Sequence, residues 1–186
     1  MTENKPLTKE EMLSWLNRYN TEEGLDSNSE EADLRKRFQT NQYITKDDLI
    51  RTIRWKYQKN LAGRQKRHLI FIAESDSPFI EDVSRLVFKY NNDESRLRLL
   101  FSIQGVGNAL GSIILTFYDP QNYAIIDINS WRGIFEEKKP INISSSTDHA
   151  IRFFKKLREI SSQTGLTCRD IERAYFKRDL ERWILK

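Results

Sequence analysis

Apolar residues recur along this chain at the three-and-four spacing of amphipathic helices, with little of the strict alternation that marks a half-buried strand. Met12, Leu13, Trp15, Leu16 and Tyr19 form a first stripe. Thr8 with Glu11 stands before it as a capping box, in which each side chain accepts from the other residue's backbone N–H. Ser27 with Glu30 marks a second start, ahead of Ala32, Leu34 and Phe38. Thr45 with Asp48 marks a third, ahead of Leu49, Ile50, Ile53, Trp55 and Tyr57. The run Leu69-Ile70-Phe71-Ile72 suits either a short buried strand or a helix, and its helical surroundings favour the helix.

Ser77-Pro78 predicts a further start, with serine as cap and proline at the first helical position, where its missing N–H costs nothing. Phe79, Ile80, Val83, Leu86, Val87 and Tyr90 follow at helical spacing until Asn91-Asn92 breaks the pattern. Asp93 opens the next helix, carrying Leu97, Leu99, Leu100 and Ile103. Gly105 ends it, and Gly107 begins another through Ile113, Ile114, Leu115 and Phe117. Asp119-Pro120 and Tyr123 form a turn, and a short helix follows Asp127. Residues 138–147 read as the clearest internal loop. Helices over 148–163 and from the Thr167/Asp170 capping box to Trp183 complete an all-α pattern of nine or ten helices.

Composition agrees. The chain has 186 residues, 38% of them hydrophobic, enough to bury a core, and only seven Gly and four Pro, too few for a many-turned β architecture. The net charge of +4 is a weak global sign of polyanion binding, but its distribution is informative. From Leu49 to Ala73 there is no acidic residue, against Arg51, Arg54, Lys56, Lys59, Arg64, Lys66 and Arg67. Arg64, Lys66 and Arg67 are the candidates for phosphate contact, with Trp55 and Tyr57 assigned to the core. The single cysteine, Cys168, excludes an internal disulfide and a four-cysteine cluster, and is read as a small packed residue. His68 and His149 lack a ligand pattern, so no metal and no cofactor is expected. With no ~20-residue apolar span and no signal-peptide run, the expectation is a soluble, cytoplasmic, monomeric protein that does not enter a membrane.

The segment Ile103-Gln104-Gly105-Val106-Gly107-Asn108-Ala109 joins two apolar helices, with Gly111 one turn on. Glycine permits a sharp turn and a close backbone approach, and the N–H groups opening the second helix favour an anion. The candidate nucleic-acid contacts are therefore Gly105, Val106, Gly107, Asn108 and Ala109. A plain helix–turn–helix corner uses glycines in the same way. Asp127 follows the apolar run Ala124-Ile125-Ile126, twenty-two positions after Gly105. It is a candidate for chemistry and equally a favoured helix cap.

Residues 97–132 resemble the core of the helix-hairpin-helix base-excision DNA glycosylases, the superfamily of endonuclease III-like and adenine-glycosylase-like proteins. The resemblance rests on Gly105, Gly107, Gly111 and Asp127 at matching spacing, and on Asp127-Ile128-Asn129-Ser130-Trp131-Arg132 against D-x-N/H-x-x-R. It covers about a fifth of the chain. It implies one unit over 1–186 made of two helical lobes, a central one over approximately 45–136 with the helix-hairpin-helix at 97–118, and a second over approximately 1–44 plus 137–186. It further implies a DNA-repair hydrolase that binds duplex DNA, flips a nucleotide and cleaves its N-glycosidic bond with Asp127 as the catalytic residue. Ala109 stands where bifunctional members carry a lysine, which implies a monofunctional enzyme, and the four cysteines of cluster-bearing members are missing. Arg132 is expected to pair with Asp127 or the backbone, or to be solvated, and the turn Asn60-Leu61-Ala62-Gly63 is a candidate wedge. The alternatives are a non-catalytic helix-hairpin-helix DNA-binding protein and an interaction protein that has lost DNA affinity.

Overall fold

Helix propensity, caps and apolar stripes act together in the computed structural model, which describes residues 6–22, 25–57, 62–137 and 147–184. These residues form α1 (Lys9–Glu22), α2 (Leu25–Asn41), α3 (Lys46–Lys56), α4 (Ala62–Glu74), α5 (Ser77–Lys89), α6 (Asp93–Phe101), α7 (Asn108–Tyr118), α8 (Ile128–Phe135), α9 (Thr147–Thr164) and α10 (Cys168–Ile184), with no strand among them. The protein is all-α. No helix among the described residues is long and apolar enough to cross a membrane.

The capping boxes form as their chemistry dictates. Glu11 N donates to Thr8 Oγ1 at 3.2 Å and Thr8 N to Glu11 Oε2 at 2.7 Å. Asp48 N donates to Thr45 Oγ1 at 3.1 Å, Thr45 N to Asp48 Oδ2 at 2.9 Å, and Asp170 N to Thr167 Oγ1 at 3.0 Å. The start of α5 lies one residue earlier than the sequence predicts. Asp76 is the cap, its carboxylate accepting from Phe79 N at 3.4 Å, with Ser77 and Pro78 inside the first turn. Both registers tolerate the proline, and the carboxylate adds an anion at the positive end of the helix dipole. Helix α6 begins at Asp93, as the sequence predicts, and Asn92 caps it by accepting from Ser95 N at 2.9 Å. The Ser27 side chain, Lys59, Asn60, Leu61 and the predicted loop up to Ser146 lie outside the described residues.

Helix α7 is the buried axis. Leu110 to Phe117 are all buried, and α7 packs against α2, α3, α6 and α9. Helix α10 packs against α1, α8 and α9, and α4 and α5 both pack against α3. The core draws on nearly every helix, with Phe38, Phe117, Trp131, Phe153 and Phe154 fully enclosed. Trp55 packs edge-on against Phe117 with ring centroids 5.0 Å apart, and Tyr57 is buried, so both aromatics of the basic segment belong to the core. Trp131 does too, with Nε1 donating to Glu137 Oε2 at 2.8 Å. Cys168 is a free, buried thiol whose pKa is pushed up to about 12 by burial.

Close backbone approach is specific to a few glycines. A Cβ at Gly133 would lie 2.7 Å from the Tyr175 carbonyl oxygen, so α8 and α10 meet backbone to backbone there. A Cβ at Gly111 would make ordinary contacts of 3.5 to 3.7 Å with Phe101, Leu100 and Leu97, so the approach of α6 to α7 does not depend on a glycine at 111.

Candidate active site and nucleic-acid interface

The hairpin is built by local sequence. Helix α6 ends at Phe101 rather than running to Gly105, because short i→i−3 bonds from Ser102 N to Leu99 O and from Ile103 N to Leu100 O, both 3.1 Å, tighten the chain into a turn. Val106 N closes the turn on Ile103 O at 3.0 Å. Gly105 has φ +84°, the left-handed region where glycine is at home. A Cβ there would also meet Phe71 of α4 at 3.1 Å. Gly107 is the N-cap of α7 and brings no side chain to it, and no acidic residue occupies the first turn. The Val106 and Asn108 side chains are buried, while Gly105, Gly107 and Ala109 reach the surface in part. Gly105, Gly107 and Ala109, rather than Val106 and Asn108, are therefore the hairpin residues within reach of a ligand.

Helix α4 lies against this turn. His68 Nδ1–H donates to the Gly105 carbonyl at 3.0 Å, since a carbonyl only accepts, and this leaves Nε2 to accept from the Tyr57 hydroxyl at 3.1 Å. Burial, with the nearby Arg67 and Arg64 charges, lowers the His68 pKa against the bond to Gly105, and so favours this neutral tautomer. Arg64 stands one turn before His68 on α4, and Arg64, Lys66 and Arg67 are all exposed. No carboxylate among the described residues forms an ion pair with any of them. Arg51, by contrast, is spent on Glu30 and Asp33, with Nη2 2.7 Å from Asp33 Oδ2 and Nε 2.8 Å from Glu30 Oε1. Among the described residues of the basic run, Arg51 and Lys56 are ion-paired, whereas Arg54, Arg64, Lys66 and Arg67 form no ion pair.

Asp127 is the N-cap of α8. One carboxylate oxygen, Oδ1, accepts from Asn129 N at 2.9 Å, and Asp127 N donates to Ser130 Oγ at 3.1 Å. Ser130 Oγ in turn donates to Ile125 O at 3.1 Å, and Ile126 N donates to Ser112 Oγ of α7 at 3.0 Å. These bonds fix both the carboxylate and the extended segment before it onto α7. The other oxygen, Oδ2, accepts from Lys56 Nζ at 3.4 Å. The Asp127 side chain is 29% exposed and that of Lys56 18%, so the pair is open to a ligand yet held in place. Ile128 beside it is exposed. Surface depressions of about 460 Å³ at Phe135, Ile151 and Lys155 and about 530 Å³ at Gln39, Arg96 and Tyr118 are not lined by Asp127.

The structure also connects the carboxylate to the hairpin. Lys56 touches Asp127, and the next residue, Tyr57, bonds to His68, which bonds to Gly105. The C-terminal end of α3 is therefore a bridge between the two features that the sequence presents separately.

Arg132 is largely buried and reaches across to α10. It bonds to Asn129 Oδ1 at 2.6 Å and to Asp179 Oδ2 of α10 at 2.7 Å, and pairing with Asp179 keeps two largely buried charges neutralised. Sequence reasoning also missed a buried ionic network on α10. Arg169 donates to Glu31 Oε2 at 2.7 Å and to Glu172, and Arg173 lies 3.0 Å from Glu31 Oε1. Burial works to raise the Glu31 carboxyl, but Arg169 and Arg173 overcome it and hold Glu31 at about 2. Glu172 moves the other way, raised by burial and by the Asp127 charge against the pull of Arg169. Two carboxylates, on α2 and α10, thus share their arginines behind Asp127. Acid–base pairs separated by up to 138 positions leave no local signal in the sequence.

Among the described residues no group of three or more His, Cys, Asp or Glu side chains is placed to hold a metal ion. No family model matches this chain, and no curated protein and no solved structure matches it either.

Proposed function

We propose that the protein binds duplex DNA across α4 and the hairpin and hydrolyses an N-glycosidic bond with Asp127, without a metal. One observation carries the reading: Lys56-Tyr57 ties the half-open Asp127 carboxylate to the glycine turn through His68. The open N-terminus of α7 and the unpaired cations of α4 suit two stretches of one phosphate backbone. The target nucleotide must leave the stack to reach the carboxylate. As the bond to the base breaks, positive charge grows on the sugar, and a fixed carboxylate stabilises it without having to reorganise. The same group orients or deprotonates the attacking water. The cap supports this role, because it spends one oxygen on holding the other in position.

The cap also favours a second reading. A non-catalytic DNA-binding protein would use the bond from Asn129 N and the contact with Lys56 purely to start α8. Asp127→Asn separates the two, since asparagine caps as well as aspartate. The native protein and this variant are compared on duplexes carrying deaminated, oxidised, alkylated or mispaired bases, with base release as the readout. Release by the native protein and none by the variant is expected. Equal release by both overturns the role of Asp127, and binding without release from any duplex leaves the non-catalytic reading.

A further inference from the structure

We propose that the exposed face of α5 docks a second copy of this chain, laid antiparallel across a two-fold axis beside Leu86. The inference does not depend on the role of Asp127, and it replaces the monomer expected from sequence.

Scattered apolar side chains on a surface are ordinary, whereas a contiguous stripe marks an interaction site. Of six large apolar side chains exposed among the described residues, three belong to α5 and its C-cap: Phe79 at 43%, Leu86 at 45% and Tyr90 at 49%. Spacings of seven and four residues put them in one line along the helix. The opposite face is already used, because Ile80, Ser84, Val87 and Phe88 are buried. The stripe is also held in place. Tyr90 O accepts from Arg96 Nε of α6 at 2.6 Å, and Ser84 Oγ accepts from Ile44 N at 3.0 Å. Just ahead of α5, Lys46 Nζ donates to Ala73 O at 2.7 Å and to Ser75 O at 2.8 Å. A preformed face loses little freedom on binding.

Charge identifies the occupant. Asp82 and Lys89 stand on the same exposed face, and neither forms an ion pair among the described residues. Seven residues separate them by about 10 Å along α5, too far for them to pair with each other. Arg85 between them is already engaged, 3.6 Å from Glu81 and 3.7 Å above the Tyr43 ring. One acid in the N-terminal half and one base in the C-terminal half make the face complementary to itself when the second copy runs the other way. Parallel copies would instead set acid against acid and base against base.

Pairing Asp82 with Lys89 of the other copy fixes the register. The midpoint falls beside Leu86, so the two leucines meet on the axis. Phe79 lies about 10 Å to one side of that axis and Tyr90 about 7 Å to the other, so each phenylalanine falls beside the tyrosine of the other copy. All five side chains are satisfied by one arrangement, and an isologous contact of this kind closes as a dimer. A 13-residue helix is only about 20 Å long, so the contact is small and the dimer should be weak and concentration-dependent.

Sedimentation velocity on the full chain, without DNA, reads association across protein concentrations, and circular dichroism checks that each variant is folded. The native chain should shift from monomer to dimer as concentration rises. Asp82→Lys and Lys89→Asp each set like charges against one another on both sides of the axis, and each should raise the dissociation constant about tenfold. An equimolar mixture of these two variants should recover the native value, because one copy then brings two lysines and the other two aspartates. Leu86→Arg puts two cations on the axis and should abolish the dimer. A native chain that stays monomeric up to about 1 mM overturns the proposal. So does a dimer that survives Leu86→Arg, which must use another face. Single charge variants that associate as tightly as the native chain, or a mixture no tighter than its components, overturn it as well.

Discussion

The same substitution at two glycines of the hairpin should have opposite effects. Gly105→Ala places a Cβ on a residue with φ +84°, and a left-handed L-residue costs about 1–2 kcal/mol. The new methyl would also meet Cβ and Cδ2 of Phe71 at 3.1 Å. That Cβ is anchored directly on the backbone of α4, so relief needs a helix to shift by a few tenths of an ångström. Gly111→Ala adds a methyl in the interior of α7, where its nearest neighbours are Phe101 Cε1 at 3.5 Å and Leu100 and Leu97 at 3.7 Å. Alanine in place of glycine there gains about 0.4–1 kcal/mol, chiefly by restricting the unfolded chain. The two variants should therefore differ by about 2 kcal/mol, or roughly 4–8 °C in Tm for a chain of this size. Urea unfolding followed by far-ultraviolet circular dichroism measures both. A neutral Gly105→Ala would mean that the turn relaxes without strain, and a destabilised Gly111→Ala would mean that α6 and α7 leave no room for a methyl. Either result refutes the packing argument. Gly105→Ala should in addition weaken duplex binding, since it displaces the turn.

Gly133→Ala should destabilise by about 1–3 kcal/mol in the same assay, because its Cβ would lie 2.7 Å from the Tyr175 carbonyl and force α8 from α10. Glu31 is held at about 2 against an ordinary 4.5, so its contribution is complete above pH 4.5 and is lost as the pH falls towards 2, about 3 kcal/mol in all. Glu31→Gln should flatten that part of the stability–pH curve and cost about 3–5 kcal/mol near neutrality by removing the carboxylate that Arg169 and Arg173 share, and an unaltered acid limb would show that Glu31 is not the group responsible. Charge reversal at Lys66 and Arg67 should weaken duplex binding and reduce its salt dependence by about one unit of slope for each phosphate no longer neutralised, whereas an unchanged slope would remove both residues from the interface.

The helices are legible in the sequence because their signals are local. Thr8, Thr45 and Thr167 each reach a partner three residues on, and the apolar stripes need only the helical period. The cap of α5 is ambiguous by one residue because Asp76 and Ser77 are both good caps and Pro78 accepts either register. At the candidate site the hairpin and Asp127 are visible as motifs, but what lies between them is not. Lys56 reads as one cation of a basic run, and nothing at residue 56 points to residue 127, seventy-one positions away. Arg132 turns to Asp179 for the same reason: partners across forty-seven positions are chosen by helix packing, and spacing carries no trace of them.

The Glu31–Arg169 pair has a consequence for synthesis. The acid on α2 is made 138 residues before the base on α10. At about 5–20 residues per second, it waits roughly 7–28 s for its counter-ion. During that interval α1 and α8 also lack the α10 surface on which they pack. A nascent chain can close α2, α3 and α7 on one another first, but must hold α1 in reserve until the ribosome has delivered the tenth helix.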